Sequence, residues 1–372
     1  QGPLGGCRPL RVVYLSRQFN RSGYAVLEAL LGSRSCDVRA VVVPPARPSQ
    51  RRMQRLDRAR SAWVERLAYR IRCAREGAKP VRFEGSIPRL AHGADVSVEV
   101  VPTLRTADGW ARIAAHEPEL LVLGGGWPEL LPQQVFALAP LGAVNTHPSL
   151  LPEYRGTDVH RWQILDGIRT TGVTIHYVDG RFDTGAILGQ ATVAIGDSST
   201  PQSLFARSAE VSGPLMLEVL DTIGEAAPHR VEGTEQPDLG EPSLPKWPWT
   251  DDRFLAIDPT HSAARVERLI RASTQESFSY DGPWLVVGGR QFIVRLAALA
   301  PTPSAGAPAE PVGTLRRVDR KLLLRCSDGD VELVRLQERG TVPMTTRSMT
   351  AARFARRFLD GGRPIRVEAP PE

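Results

Sequence analysis

The stretch Asn145-Thr146-His147-Pro148-Ser149-Leu150-Leu151-Pro152 places a carboxamide and an imidazole two residues apart, then closes on a proline-bracketed turn. Alternate residues of a strand point to one face, so Asn145 and His147 would present their polar groups together. An imidazole moves a proton near neutral pH, and a carboxamide N–H can stabilise an oxyanion. A carboxylate is then needed to orient the imidazole or accept a proton. Asp183, in Arg181-Phe182-Asp183-Thr184-Gly185, ends the turn after another strand-like run, with Asp179 four residues earlier. These three residue types fit acyl transfer without a covalent serine or cysteine intermediate. The same residues also fit a plainer reading, a histidine beside a proline turn and a common Asp-Thr-Gly turn. Spacing alone leaves both open.

Other chemistries lack their residues. The first strand runs into Ser16-Arg17-Gln18-Phe19-Asn20, with no G-x-G-x-x-G, so a nicotinamide or flavin oxidoreductase is not expected. Neither G-x-x-x-x-G-K-[ST] nor G-x-S-x-G occurs. Cys7, Cys36, Cys73 and Cys326 lie far apart with no Cys/His cluster, which argues for a reducing, cytoplasmic setting and against a structural zinc. No apolar run reaches the roughly 18 residues needed to span a membrane.

The elements that must hold the polar residues follow from periodicity. Arg11–Ser16 and Asp37–Val43 read as strands around a helix at Gly23–Gly32, a β-α-β opening that predicts a parallel sheet. Strands are expected at Val96–Val101, Leu120–Leu123, Gly142–His147, Gly172–Asp179 and Ala186–Ile195. Helices are expected at Ala107–His116, Pro132–Leu138, Thr157–Gly167 and Ser199–Gly224. The carboxyl ends of strands in such a sheet are where ligands bind. Beyond 250, a helix at Ser262–Ala272, five short strands between Trp284 and Leu336, and a helix from Met349 to about Leu359 suggest a small β-barrel.

With 372 residues and 42% hydrophobic content the chain can build two cores. The organisation we expect is a tag-like start over 1–8, a domain over 9–230 carrying a basic helical insert at 47–94, a Pro/Gly/Glu-rich linker over 231–250, and a barrel over 251–366. The net charge is +6, and between Arg47 and Arg89 thirteen Arg or Lys face four acids. That insert reads either as a lid for a phosphate or tRNA, or as an amphipathic helix on the core or across a homodimer. The need of apolar Trp63, Leu67 and Ile71 for burial favours the second.

The segments "VNTHPSLLPEYRG" and "TGVTIHYVDGRFDTGAIL" resemble the folate-dependent formyltransferase family, which acts on glycinamide ribonucleotide, methionyl-tRNA and nucleotide-linked amino sugars. Asn145, His147 and Asp183 match its catalytic Asn, His and Asp. The resemblance implies a Rossmann-like α/β domain with helices on both faces of a parallel-rich sheet. It also implies N10-formyltetrahydrofolate as co-substrate and no metal. Gly126, Trp127, Glu129, Leu130 and Leu131 should meet the pterin, the last three through backbone groups, and Asp179, Gly180, Arg181 and Phe182 should close over its other side. An amine would attack the formyl carbon, Asn145 and His147 would stabilise the oxyanion, and Asp183 would hold His147 and relay a proton. The resemblance extends, more weakly, to an OB-like C-terminal barrel through "ARVERLIRASTQESFSYDG" and "CSDGDVELVRLQ".

Departures bear on the acceptor. A methionyl-tRNA enzyme usually shows G-S-L-L-P after the catalytic His, whereas here Pro148-Ser149-Leu150 follows. That favours a small-molecule amine, such as a nucleotide-linked amino sugar or natural-product intermediate, over tRNA. Ser149, Tyr154, Arg155 and His160 are the candidate acceptor contacts. Formyl-folate hydrolysis is the remaining alternative, with water in place of the amine.

Overall fold

The computed structural model describes residues 8–18, 20–45, 86–239, 252–273, 282–301, 310–339, 349–359 and 363–368. Residues 47–85 of the expected insert, residues 1–7 and the linker from 240 to 250 lie outside these.

The chain opens with β1 (Leu10–Leu15), α1 (Arg21–Gly32) and β2 (Cys36–Val43). Helix α1 starts where Asn20, in extended conformation, accepts a hydrogen bond from Gly23 N, which satisfies one of the donors a helix start leaves open. Then come α2 (Ile87–Gly93), β3 (Ser97–Val100), α3 (Ala107–Ala114), β4 (Leu120–Leu123), α4 (Gln133–Phe136) and β5 (Ala143–His147). The chain continues through α5 (Val159–Asp166), β6 (Thr170–Tyr177), β7 (Ile187–Ala194) and α6 (Pro201–Ala226). The strands form one sheet in the order β3-β2-β1-β4-β5-β6-β7. The pairs from β3 to β5 are parallel, and β6 and β7 join antiparallel.

The pleat sorts the apolar residues of β1 between two cores. Val12 and Tyr14 join one cluster with Val26, Leu27 and Leu30 of α1, while Val13 and Leu15 join the other with Ile113 and Val135. This is why β1 and β4 read as nearly continuous apolar runs rather than alternating ones: both faces are covered.

Residues 231–239, assigned by composition to the linker, belong with the sheet. Thr234 pairs with Ile187 through reciprocal bonds of 2.8 Å. The second compact unit takes in residues 160–169 and 196–202 as well as 245–372. Its elements are α7 (Asp252–Leu255), α8 (Ala263–Ser273), β8 (Trp284–Val287), β9 (Arg290–Leu299), β10 (Thr314–Val318), β11 (Lys321–Arg325), β12 (Asp330–Glu338), β13 (Met349–Thr350), α9 (Ala351–Phe358) and β14 (Ile365–Arg366). The strands run β14-β10-β11-β12-β9-β8, and a Val286–Glu368 bridge from β8 to the residue two after β14 nearly closes the antiparallel barrel. Phe292 meets Phe354 and Phe358 edge to face inside it, and Phe354 and Phe358 are tilted to each other, with ring centroids 4.8–4.9 Å apart. Among the described residues no helix is long and apolar enough to cross a membrane.

Candidate active site

Strand order reverses at β1, which has β2 on one side and β4 on the other, and the carboxyl ends of β4 and β5 open beside this switch point. The approach there is close. A Cβ on Gly124 would lie 1.6 Å from the Tyr14 hydroxyl, so only glycine fits. Gly125 and Gly126 follow at φ +80° and +72°, turning the chain away from the sheet. Asn20, the cap of α1, ties this turn down by donating through Nδ2 to Gly125 O at 2.8 Å.

At the end of β5, Asn145 and His147 share a face as the alternation requires, and the turn after β6 brings Asp183 to both. His147 Nδ1 lies 3.3 Å from Asp183 Oδ2, and His147 Nε2 donates to Tyr154 O at 2.8 Å. Both ring nitrogens therefore face acceptors. A neutral imidazole has one N–H and satisfies only one of them, so the arrangement favours the imidazolium. Burial of the 3%-exposed ring works against its charge, but the Asp183 charge, its hydrogen bond and the Tyr154 carbonyl outweigh this and raise the His147 pKa. Burial likewise works against ionised Asp183. The His147 charge and hydrogen bond overcome it and hold the carboxyl well below its usual range.

His176 is the fourth member of the cluster. It is Asn145's partner across the antiparallel β5–β6 pair. Its Nδ1–H donates to Tyr177 O at 2.7 Å, which leaves Nε2 as an acceptor for Asn145 Nδ2 at 3.2 Å. The other amide hydrogen of Asn145 points to Asp183 Oδ1 at 3.3 Å. A flipped amide would set oxygen against carboxylate, so the NH2 belongs there and Oδ1 is turned from Asp183. The oxyanion role expected for the Asn145 N–H therefore requires exchange of one of these bonds. The other carboxylate oxygen, Asp183 Oδ2, accepts from Gly156 N at 2.9 Å. Asp183 itself sits at φ +54° and Tyr154 at φ +55°, a conformation that side chains other than glycine rarely adopt.

Across Gly126–Leu131 no backbone N–H or C=O has an intramolecular partner among the described residues. Trp127 packs against the core beside α4, and its buried indole N–H is also without one. Leu131 is buried in the same cluster, whereas Leu130 is half-buried. The Glu129 carboxylate anchors the preceding loop instead, accepting from Thr103 Oγ1 at 2.9 Å and Leu104 N at 2.5 Å. In the second expected segment, Asp179 closes its own turn by accepting from Arg181 N and Thr184 Oγ1. Gly180 lies at φ +87°, and Arg181 and Phe182 are exposed.

The expected acceptor contacts fare differently. Ser149 is fully buried and donates to Glu153 O at 2.6 Å, so its hydroxyl closes the turn. Arg155 is also buried, its guanidinium held by Gln236 Oε1 and Pro237 O. Buried polar groups must find partners, and both find them within the protein. Tyr154 contributes its carbonyl to His147. His160 is buried at the start of α5 and belongs to the second unit. Periodicity gave Gln236 no role, because it lies where apolar patterning has ended, yet its Nε2 donates to Asp183 O and Gly185 O. No group of three or more potential metal ligands occurs among the described residues.

Residues 98–220 match the formyl transferase family and residues 252–353 match the formyl transferase C-terminal domain. A methionyl-tRNA formyltransferase of Chlorobium chlorochromatii is 31% identical over 255 residues, covering 68% of this chain and 76% of that protein. One from Roseiflexus sp. is 32% identical over 277 residues, covering 74% and 71%. In fold, a HypX variant from Aquifex aeolicus superposes with a TM-score of 0.52 at 18% identity, covering 95% of this chain, which spans about half (48%) of HypX. The chain belongs to the formyl transferase family.

Proposed function

We propose that the protein transfers the formyl group of N10-formyltetrahydrofolate to the primary amine of a small molecule, at a site made by Asn145, His147 and Asp183. The observation that carries this reading is the His147–Asp183 pair, a buried imidazole with an acceptor at each nitrogen beside a carboxamide at a strand end. The unpaired backbone of Gly126–Leu131 and the partnerless indole N–H of Trp127 fit a flat heterocycle that needs a row of donors and acceptors. The folate supplies a formyl carbon on a nitrogen that leaves once it gains a proton. His147, kept protonated by Asp183 and Tyr154 O, donates a hydrogen bond to negative charge developing on the formyl oxygen, which requires its bond to Tyr154 O to be exchanged. Asn145 Oδ1 accepts from the incoming amine N–H and orients its lone pair. Asp183, being ionised, takes the proton the amine nitrogen loses, and that proton ends on the departing nitrogen.

The Pro148 that follows His147 supports the small-molecule acceptor. Methionyl-tRNA is the second reading, favoured by the names of the relatives. The test is a panel of amino sugars, amino acids and methionyl-tRNA with N10-formyltetrahydrofolate, read by tetrahydrofolate formation. Turnover with an amino sugar or amino acid is expected. Turnover confined to methionyl-tRNA would establish the second reading, and formate release without any amine would show a hydrolase.

A further inference from the structure

Both acceptors of the His147 ring are backed by one side chain that lies well outside the catalytic segments in sequence. Gln236 Nε2 donates to Asp183 O at 3.0 Å and to Gly185 O at 2.7 Å, pinning the turn that carries the carboxylate. Its Oε1 accepts from Arg155 Nη2 at 2.9 Å and Nε at 3.2 Å. Arg155 stands between the two backbone groups that touch the pair, Tyr154 O on His147 and Gly156 N on Asp183. The approach of Gln236 is fixed in turn by the reciprocal bonds of Thr234 with Ile187 at the sheet edge.

We infer that Gln236, acting with Arg155, is a positioning residue that holds Asp183 and the Tyr154 carbonyl on opposite nitrogens of His147 and so sets the charge state of the ring. Only a carboxamide serves here. A glutamate would place oxygen against two carbonyls, and a lysine could not accept from Arg155. Two non-glycine residues, Tyr154 and Asp183, are held in the left-handed region on either side of the clamp, and such conformations persist only where surrounding contacts enforce them.

The inference rests on His147 and Asp183 being catalytic, and the test separates the two claims. In the full chain, Gln236→Ala, Gln236→Glu and Arg155→Lys are compared with Glu235→Ala, an exposed neighbour expected to behave as the unsubstituted protein. The first readout is the titration of the His147 ring by NMR, assigned by its absence in His147→Ala, which needs no substrate. The second is tetrahydrofolate release from N10-formyltetrahydrofolate with the amine panel supplied as a mixture, followed against pH. Loosening either acceptor lowers the His147 pKa, so the limb on which activity falls as His147 deprotonates moves to lower pH, and turnover drops by about 10- to 100-fold. Should Gln236→Ala not fold, the Glu and Lys variants give the same reading. An unmoved His147 titration and pH limb in these variants, with His147→Ala inactive, overturns the positioning role while leaving the catalytic residues standing. An active His147→Ala instead removes the catalytic reading itself.

Discussion

Replacing Asp183 with Asn tests the electrostatic core of the site, because it removes the charge and keeps the shape. His147 Nδ1 and Asp183 Oδ2 are 3.3 Å apart and both side chains are largely buried. In an effective dielectric of about 20, opposite charges at that distance attract by on the order of 5 kcal/mol, and this must exceed the cost of burying the imidazolium. In Asp183→Asn that attraction is gone. Burial, opposed only by the Tyr154 carbonyl, then pulls the His147 pKa below its ordinary value, so the ring is neutral at pH 7. Turnover is expected to fall about 100- to 10,000-fold, the span of a lost acid–base group. The assay is tetrahydrofolate release with the amine panel, run beside NMR titration of the His147 ring. Undiminished turnover with an unmoved His147 titration would refute the reasoning.

Gly124→Ala places a Cβ 1.6 Å from the Tyr14 hydroxyl and 2.8 Å from Gly23 Cα, so the denaturant midpoint should fall by the equivalent of about 1–3 kcal/mol. An unchanged midpoint would show that α1 and the end of β4 are not packed this tightly. The His147–Asp183 pair also sets a pH window for stability. A raised imidazole pKa stabilises below the ordinary histidine value and is lost as pH rises through the raised one, while a depressed carboxyl pKa stabilises above the ordinary aspartate value and is lost as pH falls through the depressed one. The stability gap between the unsubstituted chain and Asp183→Asn should therefore be widest between about pH 4 and 6.5 and narrow on both sides. Burial pushes the thiols of Cys36 and Cys326 up to about 11 and about 12, so peptide mapping after alkylation of the folded protein at pH 8 should find both unmodified.

Residues whose role is written in a local pattern were legible in the sequence. Leu120–Leu123 is a strand buried on both faces, and its unbroken apolar run identifies it to the residue. Asn145 and His147 share a face because strand parity is fixed by a period of two. What the sequence could not show depends on register and on side-chain pairing. His176 lies on the strand predicted at Gly172–Asp179, but only the antiparallel pairing with β5 sets it opposite Asn145. Ser149 and Arg155 occupy the turn where acceptor contacts are sought, and only the fold shows them buried, with partners inside the protein. Gln236 fell within a stretch read as linker because a clamp made by one amide leaves no periodicity.

The central claim is that this constellation moves a formyl group from folate to an amine. It is tested most directly by supplying N10-formyltetrahydrofolate labelled with carbon-13 in the formyl group together with the amine panel, and following the label by mass spectrometry. The unsubstituted protein should place the label on one amine with matching release of tetrahydrofolate, and Asn145→Ala and His147→Ala should each lose about a hundredfold or more of that rate. Label recovered only as formate, or full transfer by His147→Ala, would contradict it.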